Sequence, residues 1–233
     1  MSRVIIPLDV PTPGEAFALV DRLGDQADFY KVGLELYTRA GSDVVRALID
    51  RGKEVFLDLK LHDIPNTVSR AVAVASDLGV RLLTVHGSGG PTMLEAAAAG
   101  RTGELRLLAV TVLTSLSPDE MGTVWGREIR SIREEVGRLT GAAQESGMDG
   151  VVASALEASW IRSQVGPDFL VVTPGIRPAG ASRDDQNRVA TPAEAVRAGA
   201  DYLVIGRPIT RAADPAAALA AVLSEIREAE TST

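Results

Sequence analysis

The 233-residue chain has no cysteine, which excludes a disulfide framework, thiolate zinc sites and a cysteine nucleophile. It has only two histidines, too few to define a metal site by themselves. No run of about 18 apolar residues occurs, and Pro7 and Asp9 interrupt the apolar start of the chain before it reaches signal-sequence length. We therefore expect a cytoplasmic protein that has no membrane-spanning segment and folds on its hydrophobic core.

Positive charge is scarce relative to negative charge. Lys and Arg number 24 against 31 Asp and Glu, giving a formal net charge of −7. This balance argues against broad contact with nucleic acid or an anionic membrane surface, so any basic site has to be local. Hydrophobic residues make up 45% of the chain and charged residues 24%, as in globular proteins. The length favours one domain over residues 1–233.

Short, β-branched apolar runs recur along the whole chain. Their apolar residues are continuous rather than alternating, which is typical of parallel strands buried on both faces. The predicted strands are residues 4–9, 29–36, 54–61, 82–87, 106–113, 150–154, 170–176 and 202–206. Each is separated from the next by enough chain for a crossover helix. Eight such units fit a (β/α)8 TIM barrel, which needs about 250 residues, better than a doubly wound sheet of about six strands.

Several helix starts carry the same local signal. Thr12, Ser117 and Thr191 are each followed by a proline and, at the third position, by a glutamate. This is the pattern of an N-cap with proline at the first helical position and a capping-box glutamate. Asp214 before Pro215 predicts the start of the last helix in a similar way.

Charged and polar residues interrupt the predicted strands near their carboxyl ends, where barrel enzymes carry their catalytic groups. They are Asp9, Lys31, Asp58, Lys60, His86, Thr111, Thr114 and Arg207. Asp58 and Lys60 lie two positions apart on one strand, so we expect their side chains on the same face. A buried ion pair is weak evidence for stability, and Lys31 and Asp63 add two charges to the same rim, which favours a functional site. Asp63 alone is explained equally well as an acid complementing the dipole of a helix that begins near Ile64.

The segment Gly206-Arg207-Pro208, directly after the eighth predicted strand, is the best candidate for a phosphate site. Glycine lets backbone amides approach an oxyanion, and arginine can bind it through two donors. Phosphate sites after strands seven and eight recur in this fold, although a Gly-Arg pair alone could be a simple turn. The longest polar stretch, residues 177–191, follows strand seven and predicts a functional loop.

The remaining candidates have plainer interpretations. His62 is interpreted as structural more readily than catalytic, and His86 is given no role. Met121 and Trp125, in the segment after strand five, could cover a ligand but are interpreted as packing on the barrel.

Taken together, the motifs resemble one enzyme family. They are DLKLHDIPNT at 58–67, YKVGLEL at 30–36, VTVLTS at 110–115, TPGIRP at 173–178 and VIGRPIT at 204–210, with Asp9 after the first strand and Gln186 nine residues past Arg177. By these motifs, which span nearly the whole chain, the sequence resembles the orotidine 5′-phosphate decarboxylase family, in the group typical of many bacteria. The Asp-x-Lys-x-x-Asp core by itself is shared with a wider superfamily.

The resemblance implies conversion of orotidine 5′-monophosphate (OMP) to uridine 5′-monophosphate (UMP) and carbon dioxide, the last step of de novo pyrimidine synthesis, without a metal or organic cofactor. The catalytic residues implied are Lys31, Asp58, Lys60 and Asp63. The substrate-binding residues implied are Asp9 and Lys31, Thr114 and Ser115 at the pyrimidine, Gln186, Gly206 and Arg207 at the phosphate, and Arg177. The resemblance also implies a homodimer in which Asp63 and Thr67 reach into the neighbouring subunit's site.

The implied chemistry suits these residue types. Loss of carbon dioxide from C6 leaves a carbanion without an electron sink in the ring plane, so a cofactor-free enzyme has to stabilise that charge and supply a proton. Lys60 suits both tasks, because flanking aspartates favour its charged form.

Two alternatives remain at this point. Sugar-phosphate decarboxylases and aldolases of the same superfamily retain the Asp-x-Lys-x-x-Asp core but use magnesium, and the resemblance aligns a glutamate of theirs with Lys31, where lysine would repel the metal. The other alternative is a non-catalytic binder of phosphate ligands on a barrel scaffold. Such a binder has little use for a buried array of lysines and aspartates.

Overall fold

The computed structural model describes residues 3–178 and 189–231. Parallel strands form a closed barrel in which each strand pairs with the next and the eighth pairs with the first. The strands are β1 (Arg3–Pro7), β2 (Phe29–Gly33), β3 (Glu54–Leu61), β4 (Leu82–His86), β5 (Arg106–Val110), β6 (Gly150–Val152), β7 (Leu170–Thr173) and β8 (Tyr202–Val204). The predicted (β/α)8 barrel is confirmed, with its strands in the predicted places.

Helices connect the strands and cover the outside of the barrel. They are α1 (Pro13–Leu23), α2 (Leu34–Ala40), α3 (Ser42–Ile49), α4 (Pro65–Asp77), α5 (Pro91–Gly100), α6 (Pro118–Trp125), α7 (Ile132–Glu145), α8 (Ala155–Gln164), α9 (Pro192–Arg197), α10 (Arg207–Thr210) and α11 (Pro215–Thr231), with short 3₁₀ turns at Gly24–Gln26 and Gly87–Gly89. Across the described ranges, no helix is both long enough and apolar enough to span a membrane.

The predicted helix starts are confirmed by their hydrogen bonds. Each of Thr12, Ser117 and Thr191 accepts a bond from the backbone N–H of the glutamate three residues later, and Ser117 and Thr191 form complete capping boxes. Asp214 accepts a bond from the Ala217 N–H at 3.0 Å. Because these side chains satisfy amides that have no partner within the helix, they determine locally where each helix begins.

Most strands end two or three residues earlier than the sequence predicts. For example, β2 ends at Gly33, and Leu34 already begins α2. The segments beyond the strand ends remain apolar because they are buried, and Val112 is 5% exposed while Ile176 is fully buried. Composition alone cannot distinguish such a buried loop from a continuing strand.

Buried side chains form two layers. The inner layer fills the barrel with Ile5, Phe29, Phe56, Leu82, Leu108, Val172 and Val204. The outer layer lies between the barrel and its helices and includes Leu19 and Leu23 of α1 and Leu48 of α3. Since the barrel interior is packed, a ligand site has to lie at one of its ends.

The amino-terminal end of the barrel is tied together by aspartates. Asp149 accepts a bond from the Leu107 N–H at 2.7 Å and pairs with Arg106 at 3.1 Å. Asp201 likewise accepts a bond from the Val171 N–H at 2.7 Å. These contacts join the amino-terminal ends of neighbouring strands and have a structural role. We therefore expect the functional site at the carboxyl-terminal end of the barrel.

Candidate active site

Two adjacent cavities open at the carboxyl ends of the strands. The smaller has a volume of about 170 Å³ and lies on the inner core layer, since Phe56 belongs to both. The larger has a volume of about 400 Å³. Lys31, Pro174 and Val204 line both cavities, so the two form one continuous site with Lys31 at the junction.

The smaller cavity contains a compact charged array. The Lys60 Nζ lies 2.9 Å from each carboxylate oxygen of Asp58. The Lys31 Nζ lies 3.7 Å from Asp58 Oδ2 and 2.8 Å from Asp9 Oδ1. Asp58 and Lys31 expose only 14% and 12% of their side chains, so their interaction is weakly screened by solvent. The array presents two ammonium groups to a largely apolar cavity and can stabilise or protonate an anion formed there.

The backbone of β3 is irregular at this array. Leu57 pairs with Leu83 and Leu61 pairs with Val85, so three residues of β3 face one residue of β4. Lys60 has a φ of 50°, the only positive φ of a non-glycine residue in the two described ranges. The predicted contact between carboxylate and ammonium is present, but it is made across a bulge rather than by regular alternation. Bulges commonly re-aim side chains beside active sites.

Two glycines permit close packing at the site; the sequence patterns did not indicate a role for Gly33, and they singled out Gly206 only as part of a phosphate site. A Cβ on Gly33 would lie 2.8 Å from the Lys31 Nζ and 3.4 Å from Asp9 Oδ1. Any side chain at Gly33 would therefore displace the ammonium group from the aspartate. A Cβ on Gly206 would lie 3.0 Å from Pro7 Cγ, because the ends of β8 and β1 are closely packed there.

The larger cavity is basic at the end away from Lys60. Gly206, Arg207 and Arg177 line it, together with Arg211, which the sequence did not single out although it lies one turn after Arg207. Arg177 is 8% exposed, and its Nη1 donates a bond to the Ile176 carbonyl at 3.0 Å. Guanidinium groups converging on one polar cavity suit a phosphate dianion.

Of the other residues predicted for the site, some line a cavity and others lie on the surface outside both cavities. Thr114 lines the smaller cavity, whereas Ser115 is exposed and lines neither cavity. Asp63 and Thr67 are also exposed and outside both cavities. The Asp63 carboxylate accepts a bond from the Ile64 N–H at 2.6 Å, just before α4. Predicted contacts of Gln186, and most of the loop containing it, lie outside the described residues.

The two histidines lie together beside the array. The rings of His62 and His86 stack with centroids 5.3 Å apart and an angle of 28° between their planes. Ser88 Oγ lies 3.1 Å from His86 Nδ1. Burial lowers the pKa of His86 below its ordinary value, and the charges of His62 and Lys60 act in the same direction. His86 therefore favours its neutral form next to the lysines.

The segment after β5 packs as the sequence suggests. Met121 is 1% exposed, and Trp125 packs against the outer core layer. The Arg127 guanidinium lies 5.6 Å from the centre of the Trp125 ring. Within residues 3–178 and 189–231, no three His, Asp or Glu side chains are grouped as ligands for a metal ion.

The chain is similar to known proteins over nearly its whole length. The model of the orotidine 5′-phosphate decarboxylase / HUMPS family matches residues 2–222. A protein of Halorhodospira halophila named orotidine 5′-phosphate decarboxylase is 52% identical over 233 residues, covering 97% of each chain. One of Moorella thermoacetica with the same name is 51% identical over 232 residues, covering 96% of this chain and 92% of the relative.

A solved structure extends the likeness to three dimensions. The crystal structure of orotidine 5′-phosphate decarboxylase from Lactobacillus acidophilus has a TM-score of 0.86 and 40% identity to this chain. The match covers 97% of this chain and 99% of that one. The chain belongs to the orotidine 5′-phosphate decarboxylase / HUMPS family, as its motifs predict.

Proposed function

We propose that this protein is an orotidine 5′-phosphate decarboxylase, a carboxy-lyase that converts OMP to UMP and carbon dioxide in the last step of de novo pyrimidine synthesis. The observation that carries the proposal is the Lys60 ammonium group, held 2.9 Å from both oxygens of Asp58 in the wall of the smaller cavity. The names of relatives about 50% identical over nearly the whole chain support the choice of substrate.

We assign the pyrimidine ring to the smaller cavity, because that cavity is apolar except at the charged array. Its apolar lining is Phe56, Val110, Val112, Leu113, Val152, Ala153, Pro174 and Val204. Thr114 adds a hydroxyl that can bond to a polar edge of the ring. In this position the pyrimidine ring packs between the apolar walls, and its C6 atom faces Lys31 and Lys60.

The proposed reaction requires one proton donor and stabilisation of one negative charge. When the bond from C6 to the carboxylate breaks, carbon dioxide leaves and the electron pair remains on C6. The Lys60 ammonium group stabilises this charge and transfers a proton to C6, and the neutral amine regains a proton from water. Asp58 holds the ammonium group at the wall of the cavity, and its charge opposes that of the departing carboxylate. In this proposal the chemistry uses no metal or organic cofactor.

The larger cavity suits the ribose and phosphate of the same substrate. Asp9 is 63% exposed and can accept bonds from ribose hydroxyls beside Lys31. Gly206, Arg207 and Arg177 are assigned to the phosphate, with Gln186 as a further proposed contact. Binding energy from this remote group can order the site around the reacting ring.

We further propose a homodimer in which Asp63 and Thr67 complete the site of the neighbouring subunit. Both residues are exposed on the segment that follows β3, and Ile64 between them is 67% exposed. This exposure leaves both side chains accessible to a second chain, as the dimer implied by the family resemblance requires. In the dimer, Asp63 would add a third carboxylate to the array of Lys31, Lys60, Asp9 and Asp58.

The cytoplasmic location and the lack of a nucleic-acid partner stay predictions from composition. A single domain over residues 1–233 is part of the same proposal, and the closure of β1 to β8 into one barrel supports it.

The test is the ultraviolet absorbance change of OMP with purified protein in excess EDTA. We expect turnover by the wild type and a loss of about 10⁴-fold in Lys60→Ala, since a positioned general acid contributes up to about that factor. Lys53→Ala is the matched control, because Lys53 lies outside both cavities and donates a bond to the Ala27 carbonyl at 3.0 Å. It should retain the wild-type kcat.

Two results would contradict the proposal. Full activity in Lys60→Ala would remove Lys60 from the chemistry. A wild type that leaves OMP unchanged but acts on a sugar phosphate once magnesium is added would support the metal-dependent branch of the superfamily.

A further inference from the structure

Thr84, on β4, bonds to both members of the catalytic pair. It is fully buried. Its Oγ1 accepts a bond from the Lys60 backbone N–H at 2.8 Å and donates one to Asp58 Oδ1 at 2.9 Å. A hydroxyl group has one proton and two lone pairs, so it can make both bonds at once.

The first bond replaces a missing part of the β3–β4 ladder. Thr84 is the one β4 residue between the pairs Leu57–Leu83 and Leu61–Val85, and it lies opposite three residues of β3, two more than a regular ladder has. A non-glycine residue at positive φ is strained and persists only where its surroundings hold it. The Thr84 hydroxyl gives the strained N–H of β3 a partner that the interrupted ladder does not provide.

The second bond fixes the orientation of the carboxylate. Asp58 Oδ1 receives the Thr84 hydroxyl and the Lys60 ammonium group, each at 2.9 Å. Asp58 Oδ2 receives the same ammonium group at 2.9 Å and has Lys31 at 3.7 Å. Without the hydroxyl, the carboxylate would be held mainly by the two lysines, whose long side chains can move with it.

We propose that Thr84 is a positioning residue that aims the Lys60 ammonium group, by holding the Lys60 backbone and the Asp58 carboxylate with one hydroxyl. The inference rests on the proposed role of Lys60 as proton donor. Thr84 lines neither cavity and so makes no contact with a ligand in them. Its loss should therefore lower kcat and leave KM nearly unchanged.

The variant that tests this is Thr84→Val, which keeps the shape and removes the hydroxyl. We expect kcat to fall about 100-fold, the effect of a small misplacement of a catalytic group, with KM within about threefold of the wild type. Thr84→Ser keeps the hydroxyl and should restore most of kcat. Thr173→Val is the matched control, since Thr173 is also fully buried on a strand and donates a bond to the Tyr202 carbonyl at 3.3 Å. It should keep the wild-type kcat.

A second readout does not depend on activity. The chain has three lysines, so lysine labelled with ¹³C at the ε carbon gives three signals in an NMR spectrum. Thr84→Val should shift the Lys60 signal and leave the Lys53 signal in place. If Thr84→Val does not fold, Thr84→Ala takes its place in both measurements.

The outcomes separate the two proposals. Wild-type kcat in Thr84→Val, or an unshifted Lys60 signal, would overturn the positioning role while OMP turnover by the wild type still supports the decarboxylase. A fall in kcat that Thr84→Ser does not restore would also overturn it. If the wild type does not act on OMP, the proposed function fails, and the lysine signals still decide whether Thr84 holds Lys60.

Discussion

The Lys60 ammonium nitrogen lies at the same distance, 2.9 Å, from both carboxylate oxygens of Asp58. Lys31 is the more distant partner of that carboxylate at 3.7 Å and is closer to Asp9. Among the residues that the structure describes, Asp58 is therefore the one carboxylate that lines the smaller cavity, and it lies between two ammonium groups. Its charge affects both the lysines and any ligand carboxylate that enters.

Asp58→Asn should separate these two effects. We expect kcat to fall about 100-fold or more, because the preorganised charge around the reacting carbon is lost. We also expect OMP to bind more tightly relative to UMP, since OMP alone carries the carboxylate that Asp58 would repel. Steady-state kinetics and calorimetric titration with both nucleotides measure the two quantities. An unchanged ratio of the two affinities would argue against repulsion of the substrate by Asp58.

Arg207→Ala should act mainly on binding. Charge-assisted hydrogen bonds contribute about 1.5–3 kcal/mol, so we expect KM for OMP to rise about 10- to 100-fold with a smaller change in kcat. Arg46→Ala is the control for loss of one positive charge, because Arg46 is exposed on α3 and pairs with Asp43. Titration with UMP and with uridine identifies the group that is bound. Equal losses of affinity for both ligands would remove Arg207 from the phosphate site.

Mixing two inactive variants should restore activity if Asp63 acts across a dimer interface. Lys60→Ala lacks the proposed proton donor, and Asp63→Ala lacks the residue proposed to act in the partner's site. A dimer with one subunit of each has one intact site and one site with both defects. After random exchange of subunits in an equal mixture, about a quarter of the wild-type activity should return. Activity no higher than that of the separate variants would indicate that Asp63 acts within its own chain.

His86 should make stability depend on pH. Burial, with the charges of His62 and Lys60, lowers the pKa of His86 in the folded protein below the ordinary value of 6.5. As the pH falls, the unfolded chain binds the proton first, so this contribution is complete above pH 6.5 and is lost as the pH falls through the folded-state pKa. Urea unfolding at a series of pH values should give free energies of unfolding that fall in that range.

His86→Gln should flatten this dependence, and the same slope as in the wild type would assign it to other groups. His62→Gln offers a second check, because removing a neighbouring positive charge raises the pKa of His86. With two histidines in the chain, NMR titration of their ring protons follows His86 directly.

Asp149→Ala should lower stability and leave the chemistry intact. The Asp149 side chain is 10% exposed, binds Arg106, and accepts the Leu107 N–H. Removing the carboxylate leaves the buried Leu107 N–H without this partner, which typically costs about 1–3 kcal/mol. Asp43→Ala, which breaks an exposed pair at 3.4 Å, should change the free energy of unfolding by less than about 1 kcal/mol. Urea unfolding compares them, and equal effects would contradict a clamping role for Asp149.

The features that could be predicted from the sequence are those that depend on residues close together in the chain. Continuous apolar runs identify the buried strands, and the proline and glutamate after Ser117 and Thr191 identify helix starts, because the hydrogen bonds involved span three residues. The charged motif that begins within the third run, at Asp58, likewise indicated where the site lies.

The features that could not be predicted depend on residues distant in the chain. The Thr84 hydroxyl bonds to Lys60 and Asp58, which lie 24 and 26 positions away in the sequence. No local sequence pattern indicates that three residues of β3 would lie opposite one residue of β4. The role of Gly33 is visible only once the fold brings the Lys31 and Asp9 side chains together next to it. Asp63 lies outside both cavities, so the role proposed for it depends on a second chain.

The bulge in β3 also limits how the charged motif could be transferred by design. Grafting residues 58–67 onto another barrel would supply the lysine and the aspartates but not the register in which they meet. The recipient strand would also need a side chain at the Thr84 position that accepts and donates a hydrogen bond simultaneously. The unit to transplant is therefore a pair of adjacent strands, and a search for related catalytic barrels should score both strands together.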